Sequence, residues 1–190
     1  MAFEGIAAPA TRASFVIPGV PGEAVFQDFS GTCKFDLDDI CATVYNIDLD
    51  VQTLEAGLKT GLVKSRAFLD ADKHKYLSFD SSYNVVTGKY SIKMYGDLTL
   101  RGVAKPIVWD VQIDPNSTNE EARFKATVDI DRRRWGMDAL SFFSNTIKIK
   151  VLGVMVPREE VYANIPETSP EHRGQPQEGP SEPLSGLTQM

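Results

Sequence analysis

The chain has few of the residues that most enzymes use for catalysis. It contains two histidines and two cysteines among 190 residues. His172 lies in a proline-rich tail, so a metal site or a histidine-based triad would have to be built around His74 alone. No Gly-x-Ser-x-Gly, phosphate-binding glycine loop or Cys-x-x-Cys motif occurs. These absences favour a non-enzymatic protein that has neither a metal site nor a catalytic cofactor.

Long apolar segments and an excess of positive charge are also lacking. No stretch approaches the ~20 apolar residues that a transmembrane helix needs. The first residues lack the basic and apolar regions of a secretory signal, so the sequence as written predicts a cytoplasmic protein. The formal net charge of -6 argues against nucleic acid or an anionic membrane surface as a general partner, because either would require clustered positive charge.

The two cysteines leave one question open. Cys33 and Cys41 could pair across a hairpin that turns near Leu37. In a chain without an export signal, however, two cysteines are more often buried thiols.

The prolines divide the chain into unequal parts. Six of the eleven prolines lie after residue 156, among glutamate, glutamine, serine and glycine. Such a composition cannot bury enough apolar surface to offset the loss of chain entropy on folding. We therefore predict a flexible N-terminal lead at 1–11, one folded domain at 12–156 and a disordered Pro/Glu-rich tail at 157–190.

The folded part is dominated by alternation of apolar and polar residues. Seven such runs follow one another, and a shorter strand at 14–17 would make eight. The pattern predicts an all-β protein, an eight-stranded antiparallel barrel. Residues 53–70 break the rule, because Leu54, Leu58 and Leu62 recur at helical spacing. They predict one short amphipathic helix that covers one end of the barrel, although Gly57 and Gly61 weaken it.

An eight-stranded barrel has an interior that is either filled by side chains or holds one slim ligand. The residues alone leave both alternatives open. The candidate lumen residues carry no charge and are mostly aromatic: Phe29, Phe35, Leu58, Leu62, Phe79, Met94, Trp109, Phe124 and Trp135.

Four segments together resemble one known family. They are "FQDFSGTCKFD" (26–36), "SRAFLDADKHKYLSFDSS" (65–82), "GDLTLRGVAKPIVWDV" (96–111) and "VDIDRRRWGMDA" (128–139). In this order and spacing they are similar to the YceI-like family of lipocalin-like, polyisoprenoid-binding domains. Within the third segment, Arg101-Gly102 and Lys105-Pro106 predict a hairpin corner at the barrel rim.

The resemblance implies non-enzymatic binding, carriage or sequestration of a long isoprenoid-type lipid in the lumen. Such a ligand would be a polyprenyl phosphate or a quinone. Family members are often periplasmic or secreted, and a homodimer is compatible with the family. The alternative is a ligand-free interaction or scaffold protein, linked to stress, whose barrel is filled by its own aromatic residues.

The chain also departs from the family pattern. His74-Lys75 stand where a Tyr-Pro is common, and Leu62 stands where a histidine is frequent. If those polar groups hold a ligand's head, the lipid of this protein has a different or smaller one.

Arg101 and Arg132 are the candidates for polar contacts at the barrel rim, because guanidinium groups pair with phosphate oxygens. In the alternative interpretation, Arg132, Arg133 and Arg134 form a solvated turn with one arginine paired to Asp131 or Asp138. Trp135 would then plug the barrel end.

Overall fold

The computed structural model describes residues 2–36, 39, 41, 43–118, 120–139 and 141–158; the side chains of residues 2, 3, 35 and 36 lie outside this description. The tail predicted for 157–190 also falls outside it from residue 159 onward. The described strands are β1 (Ala2–Ala7), β2 (Arg12–Val16), β3 (Ala24–Phe26), β4 (Phe29–Asp36), β5 (Val44–Asp50), β6 (Leu54–Glu55), β7 (Tyr76–Gly88), β8 (Ser91–Leu100), β9 (Val103–Ile113), β10 (Ala122–Asp131) and β11 (Thr146–Pro157). One α-helix, α1 (Thr60–Lys64), and short 3-10 turns at Val51–Thr53, Gly57–Lys59 and Arg132–Trp135 complete them.

Eight antiparallel strands form a closed ring, in the order β1-β4-β5-β7-β8-β9-β10-β11. The pairing of β1 with β11 closes the ring, with Gly5 opposite Pro157 and Ala7 opposite Met155. Closure leaves these strands without a free edge, which satisfies their backbone groups. The predicted eight-stranded antiparallel barrel is therefore confirmed.

Residues 2–7 form a strand, so the prediction of a flexible lead at 1–11 is wrong for this part of it. β1 pairs with β4 on one side and with β11 on the other, which fixes its backbone from both flanks. The strand predicted at 14–17 also exists, as β2, but it pairs with the first half of β11 and lies outside the ring. β3 and β6 extend this branch at one end of the barrel.

Thr11 joins β1 to β2. Its hydroxyl Oγ1 donates a hydrogen bond to the carbonyl of Val154 at 2.9 Å and accepts one from the amide of Val154 at 3.1 Å. The side chain thus supplies hydrogen bonds to β11 between the part that pairs with β1 and the part that pairs with β2.

The helix is shorter than the predicted span of 53–70. Leu54 lies in β6, and Gly57 adopts a positive φ of 57°, which breaks a continuous helix before α1 begins. Val63 is the buried apolar residue of α1. A single short helix near one barrel end is confirmed, but its apolar stripe is not the predicted one.

The corner predicted between β8 and β9 is confirmed for Arg101-Gly102, but Lys105-Pro106 lie within β9, where they pair with Leu98 and Asp97. Leu100 pairs with Val103, and the two residues between them, Arg101 and Gly102, have φ values of 51° and 71°. Two consecutive residues in the left-handed conformation form a turn whose twist matches the right-handed twist of the flanking strands. The β8–β9 turn lies at the barrel end that also carries α1 and the 3-10 turn Arg132–Trp135, because Arg101 donates hydrogen bonds to the carbonyls of Gly136 and Arg66. We call this the helix end.

Candidate functional site

The barrel lumen contains an apolar void lined by side chains from six ring strands. Four of its residues, Phe79, Met94, Trp109 and Phe124, lie where the sequence predicts them. The complete lining is Tyr45, Ile47, Phe79, Met94, Trp109, Phe124, Ala126 and Val151. The sequence analysis missed Tyr45 as a lining residue, although its inward position follows from the alternation of β5.

Aromatic rings occupy most of this lumen. The rings of Tyr45 and Phe124 meet with centroids 5.6 Å apart, and those of Phe79 and Trp109 meet edge to face at 5.8 Å. The remaining void is about 20 Å³. This is room for roughly one water molecule, whereas pockets for small ligands measure about 300–1,000 Å³. The lumen is thus filled in this conformation.

Two glycines make this filling sterically feasible. Gly96 of β8 lies beneath the ring of Phe79, and Gly153 of β11 lies beneath the ring of Phe124. A Cβ atom at either position would overlap ring atoms. The rings therefore lie directly against the backbone of the neighbouring strands.

One polar atom in the lumen is left without a partner. The indole Nε1 of Trp109 is buried and makes no hydrogen bond to any described residue. A buried donor without an acceptor loses the hydrogen bond that water would give it, which costs about 1–3 kcal/mol. An acceptor atom on a lumen ligand would recover this cost.

The titratable side chains nearest this site are held neutral by burial. Cys33 of β4 stands opposite Tyr45 of β5. Burial raises the pKa of the Cys33 thiol to about 12 and also raises the pKa of the Tyr45 phenol. In this structure Cys33 and Cys41 are both free thiols, the first buried and the second exposed.

A plug of aromatic side chains closes the lumen at the helix end. Trp135 is 2% exposed and donates its indole N–H to the carbonyl of Leu98 at 3.2 Å. Phe15 packs against Phe26 and Phe68 in the same core, with centroid distances of 6.2 and 6.0 Å. Trp135 therefore closes the barrel, as the alternative interpretation proposed, and does not line the central void.

Arg132 is not the rim contact that the sequence predicts. Its side chain is 1% exposed, and its guanidinium donates to the carbonyls of Met137, Ala139, Phe143 and Ser144. It is committed to holding the loop before β11 and cannot reach a ligand's head. Arg133 is the arginine that pairs with Asp131, at 2.6 Å, and it holds the pKa of this carboxyl at about 2.

Arg101 is half-exposed at the rim. The hydrogen bonds from its guanidinium to Gly136 and Arg66 cross-link the turns of the helix end. The structure gives Arg101 a structural role, and its contact with a headgroup stays a prediction.

The remaining lumen candidates divide into three groups. Leu58 is 107% exposed and Leu62 is 38% exposed, so the prediction that they line the lumen is wrong. Gly57, with a positive φ of 57°, separates both residues from Leu54, so the predicted apolar stripe does not form on one continuous helix. Phe29 is half-buried against the core. Phe35 belongs to β4, but its side chain lies outside the described part of the structure.

Among the described residues, no three histidine, cysteine, aspartate or glutamate side chains form a cluster that could hold a metal ion. His74 is half-buried beside Gly102 of the β8–β9 turn.

No described helix has the length and apolar character needed to cross a bilayer.

A family model gives the broadest similarity to known proteins. The model described as the YceI-like domain matches residues 8–155. A UPF0312 protein of Vibrio cholerae is 27% identical over 122 residues, which cover 60% of this chain and 64% of that protein. One from Vibrio campbellii is 33% identical over 89 residues, 46% of this chain and 47% of that protein. The chain thus matches less than two thirds of the length of these curated relatives.

Solved structures support the fold. BcnA of Burkholderia cenocepacia superposes with a TM-score of 0.71 at 23% identity, over 78% of this chain and 98% of that one. A domain of Saccharophagus degradans, described as polyisoprenoid binding and implicated in plant cell wall breakdown, superposes with a TM-score of 0.63 at 12% identity, over 83% and 99% of the two chains. At these identities the similarity establishes the architecture.

Proposed function

The chain belongs to the YceI-like domain family, and from this premise we propose that it binds one slim, isoprenoid-type lipid in its barrel lumen. The role is carriage or sequestration without catalysis. A structural relative is described as a polyisoprenoid-binding domain, which supports the proposal by analogy.

The observation that carries the proposal is the chemistry of the lumen wall. All eight residues around the central void are uncharged, and seven of them have no group that ionises. Tyr45 is the exception, and its raised pKa keeps it neutral. Such a wall stabilises a hydrocarbon chain by about 25 cal/mol for each Å² of apolar surface removed from water.

Binding requires the lumen to open, because a void of about 20 Å³ does not admit a lipid. The groups that must move are aromatic rings and the flexible thioether side chain of Met94. The buried indole N–H of Trp109 lacks a partner among the described residues, which favours a ligand that carries a hydrogen-bond acceptor. A quinone carbonyl provides such an acceptor, whereas the hydrocarbon chain of a polyprenyl phosphate does not.

The test is extraction of purified protein with organic solvent, followed by mass spectrometry of the extract. The proposal predicts an isoprenoid-type lipid in stoichiometric amount. Ala126→Leu places extra atoms in the void and should lower the recovered lipid. Ala122→Leu is the matched control, because Ala122 is equally buried in β10 but does not line the void.

A second function is favoured by the filled lumen itself. If the aromatic packing is the permanent state, the protein is a ligand-free interaction or scaffold protein. The organic extract of such a protein would then contain no lipid. Lipid added to protein refolded after extraction would leave the tryptophan fluorescence unchanged. That pair of results would overturn the lipid-binding proposal.

A further inference from the structure

Two tyrosine side chains are stacked on the outer face of the barrel. Tyr83 of β7 stands directly opposite Tyr95 of β8 in the strand ladder. Their ring centroids are 4.5 Å apart, and the ring planes are inclined by 9°. Tyr83 is 54% exposed and Tyr95 is half-buried, so solvent reaches the pair. The next residues in the ladder, Asn84 and Met94, are buried, which places the two tyrosine rings outside the core.

A β-bulge creates this alignment. Ser81 stands opposite Gly96 in the ladder. The next pair is Tyr83 with Tyr95, so β7 contains one residue more than β8 at this point. Without the extra residue, Ser82 would stand opposite Tyr95, and Tyr83 would point into the barrel. Bulges are frequent next to functional sites, where they re-aim a side chain.

The other described tyrosines lie apart from one another. Tyr76 is the first residue of β7, Tyr90 lies in the turn before β8, and Tyr45 is buried in the lumen. Among the described residues, the stacking contact between two tyrosine rings is that of Tyr83 with Tyr95.

We propose that the Tyr83–Tyr95 stack is a site of oxidative modification, at which a haem peroxidase and hydrogen peroxide form an intramolecular dityrosine. Each phenol gives up one electron and one proton to the oxidised peroxidase, which leaves two phenoxyl radicals. A carbon–carbon bond then forms between ring carbons ortho to the two oxygens, and the hydrogens on these carbons move to the oxygens. The peroxide accepts the two electrons and the two protons and is reduced to two molecules of water.

The stacked geometry favours coupling within one chain. Holding two reacting groups in contact converts an encounter between molecules into a step within one molecule, and effective concentrations reach about 10⁵–10⁸ M in well-oriented cases. The rings must tilt before their ortho carbons can bond, and their exposure leaves room for this rotation. Neither ring has to leave a packed core.

The cross-link joins β7 to β8 from outside the barrel. Neither Tyr83 nor Tyr95 lines the central void, so coupling removes no side chain from the lumen wall. The inference therefore goes beyond the proposed function and does not depend on it.

The experiment treats the full chain, at low protein concentration, with a plant haem peroxidase and an equimolar amount of hydrogen peroxide. We expect the blue fluorescence of dityrosine in the monomer band of a denaturing gel. Trypsin cleaves after Lys89 and Lys93, which separates the segments that carry Tyr83 and Tyr95. Mass spectrometry should find these two segments joined, with two hydrogen atoms fewer than their sum.

One variant and one matched control assign the modification to the stack. Tyr83→Phe keeps the ring but removes the phenol group, so the rate of dityrosine formation in the monomer should fall by about tenfold or more. Tyr76→Phe is the control, because Tyr76 is also exposed, lies on the same strand and belongs to the same tryptic segment. Its rate should equal that of the unchanged chain. Circular dichroism checks that both variants keep the barrel.

Unfolding in urea tests the role of the strand ladder. The unfolded chain keeps both phenols but no longer holds them in contact, so coupling within the monomer should become slower. Several results would overturn the proposal: equal rates in Tyr83→Phe and the unchanged chain, equal rates in the folded and unfolded chain, or fluorescence confined to the dimer band. A joined peptide that contains the coupled ring of Tyr76 in place of Tyr83 would do the same.

Discussion

The indole N–H of Trp135 donates a hydrogen bond to the carbonyl of Leu98, whereas the indole N–H of Trp109 has no acceptor among the described residues. Both side chains are buried. Replacing either by phenylalanine removes a similar volume, so the two variants differ mainly in the hydrogen bond.

Trp135→Phe should therefore lower the free energy of unfolding by about 1–2 kcal/mol more than Trp109→Phe does. Urea denaturation followed by circular dichroism measures both values. Equal losses in the two variants would mean that the Leu98 hydrogen bond contributes nothing beyond packing.

The neighbouring residues Arg132 and Arg133 should differ in how much their replacement lowers the free energy of unfolding. Arg132→Met keeps much of the side-chain volume but leaves the carbonyls of Met137, Ala139 and Ser144 without their donor. We expect a loss of about 3 kcal/mol in the free energy of unfolding. Proteolysis should also become faster within residues 137–145, because the guanidinium holds that loop.

Arg133→Met is the control for this change. Its partner Asp131 is exposed, so stability at neutral pH should change little. The folded-state pKa of Asp131, about 2, lies below the ordinary value. The stability that the charged Asp131 contributes is present above its ordinary pKa and is lost as the pH falls toward 2. In Arg133→Met the pKa of Asp131 should return toward its ordinary value, so the loss of stability on acidification should become smaller in acid titrations.

The ring of strands could be predicted because alternation reports directly which side chains face inward. Phe79, Met94, Trp109 and Phe124 all follow the alternation of long strands, and all line the void. Tyr45 obeys the same rule in β5 and could have been included.

The predictions from sequence fail where the chain leaves regular strands. Leu58 and Leu62 have helical spacing, but Gly57 in the left-handed region separates them from Leu54, and both side chains are exposed. β1 is short, and its pairing with both β4 and β11 is a long-range property that no local pattern reveals. The sequence predicts Arg132 at the rim or in a solvated turn, because it does not display the loop carbonyls that accept hydrogen bonds from the guanidinium.

The cysteines give a prediction about reactivity. The exposed Cys41 should react with a thiol reagent in the native protein at pH 8. Cys33 should not, because burial excludes the reagent and a pKa of about 12 leaves almost no thiolate. Absorbance assays with a chromogenic disulfide should count one thiol in buffer and two in urea. In Cys41→Ser the native count should fall to zero, and a remaining fast thiol would show that Cys33 is accessible.

Gly153 predicts a steric limit on the lumen wall. It lies opposite Phe124 in the β10–β11 ladder, and a Cβ atom there would overlap the ring. Gly153→Ala should lower the free energy of unfolding by about 1–3 kcal/mol, because the ring must leave its position. Gly61→Ala is the control, since a Cβ atom in α1 meets nothing within 4 Å and alanine favours a helix by up to ~1 kcal/mol.

The clash also predicts how the two positions interact. Phe124→Leu removes ring atoms that a Cβ at residue 153 would overlap. In the double variant the cost of Gly153→Ala should therefore shrink, and the double-mutant cycle should give a coupling of about 0.5–3 kcal/mol. Thermal or urea unfolding of the four proteins measures it. Additive losses would show that alanine at 153 destabilises the barrel through the backbone of β11, and that the ring of Phe124 is free to move.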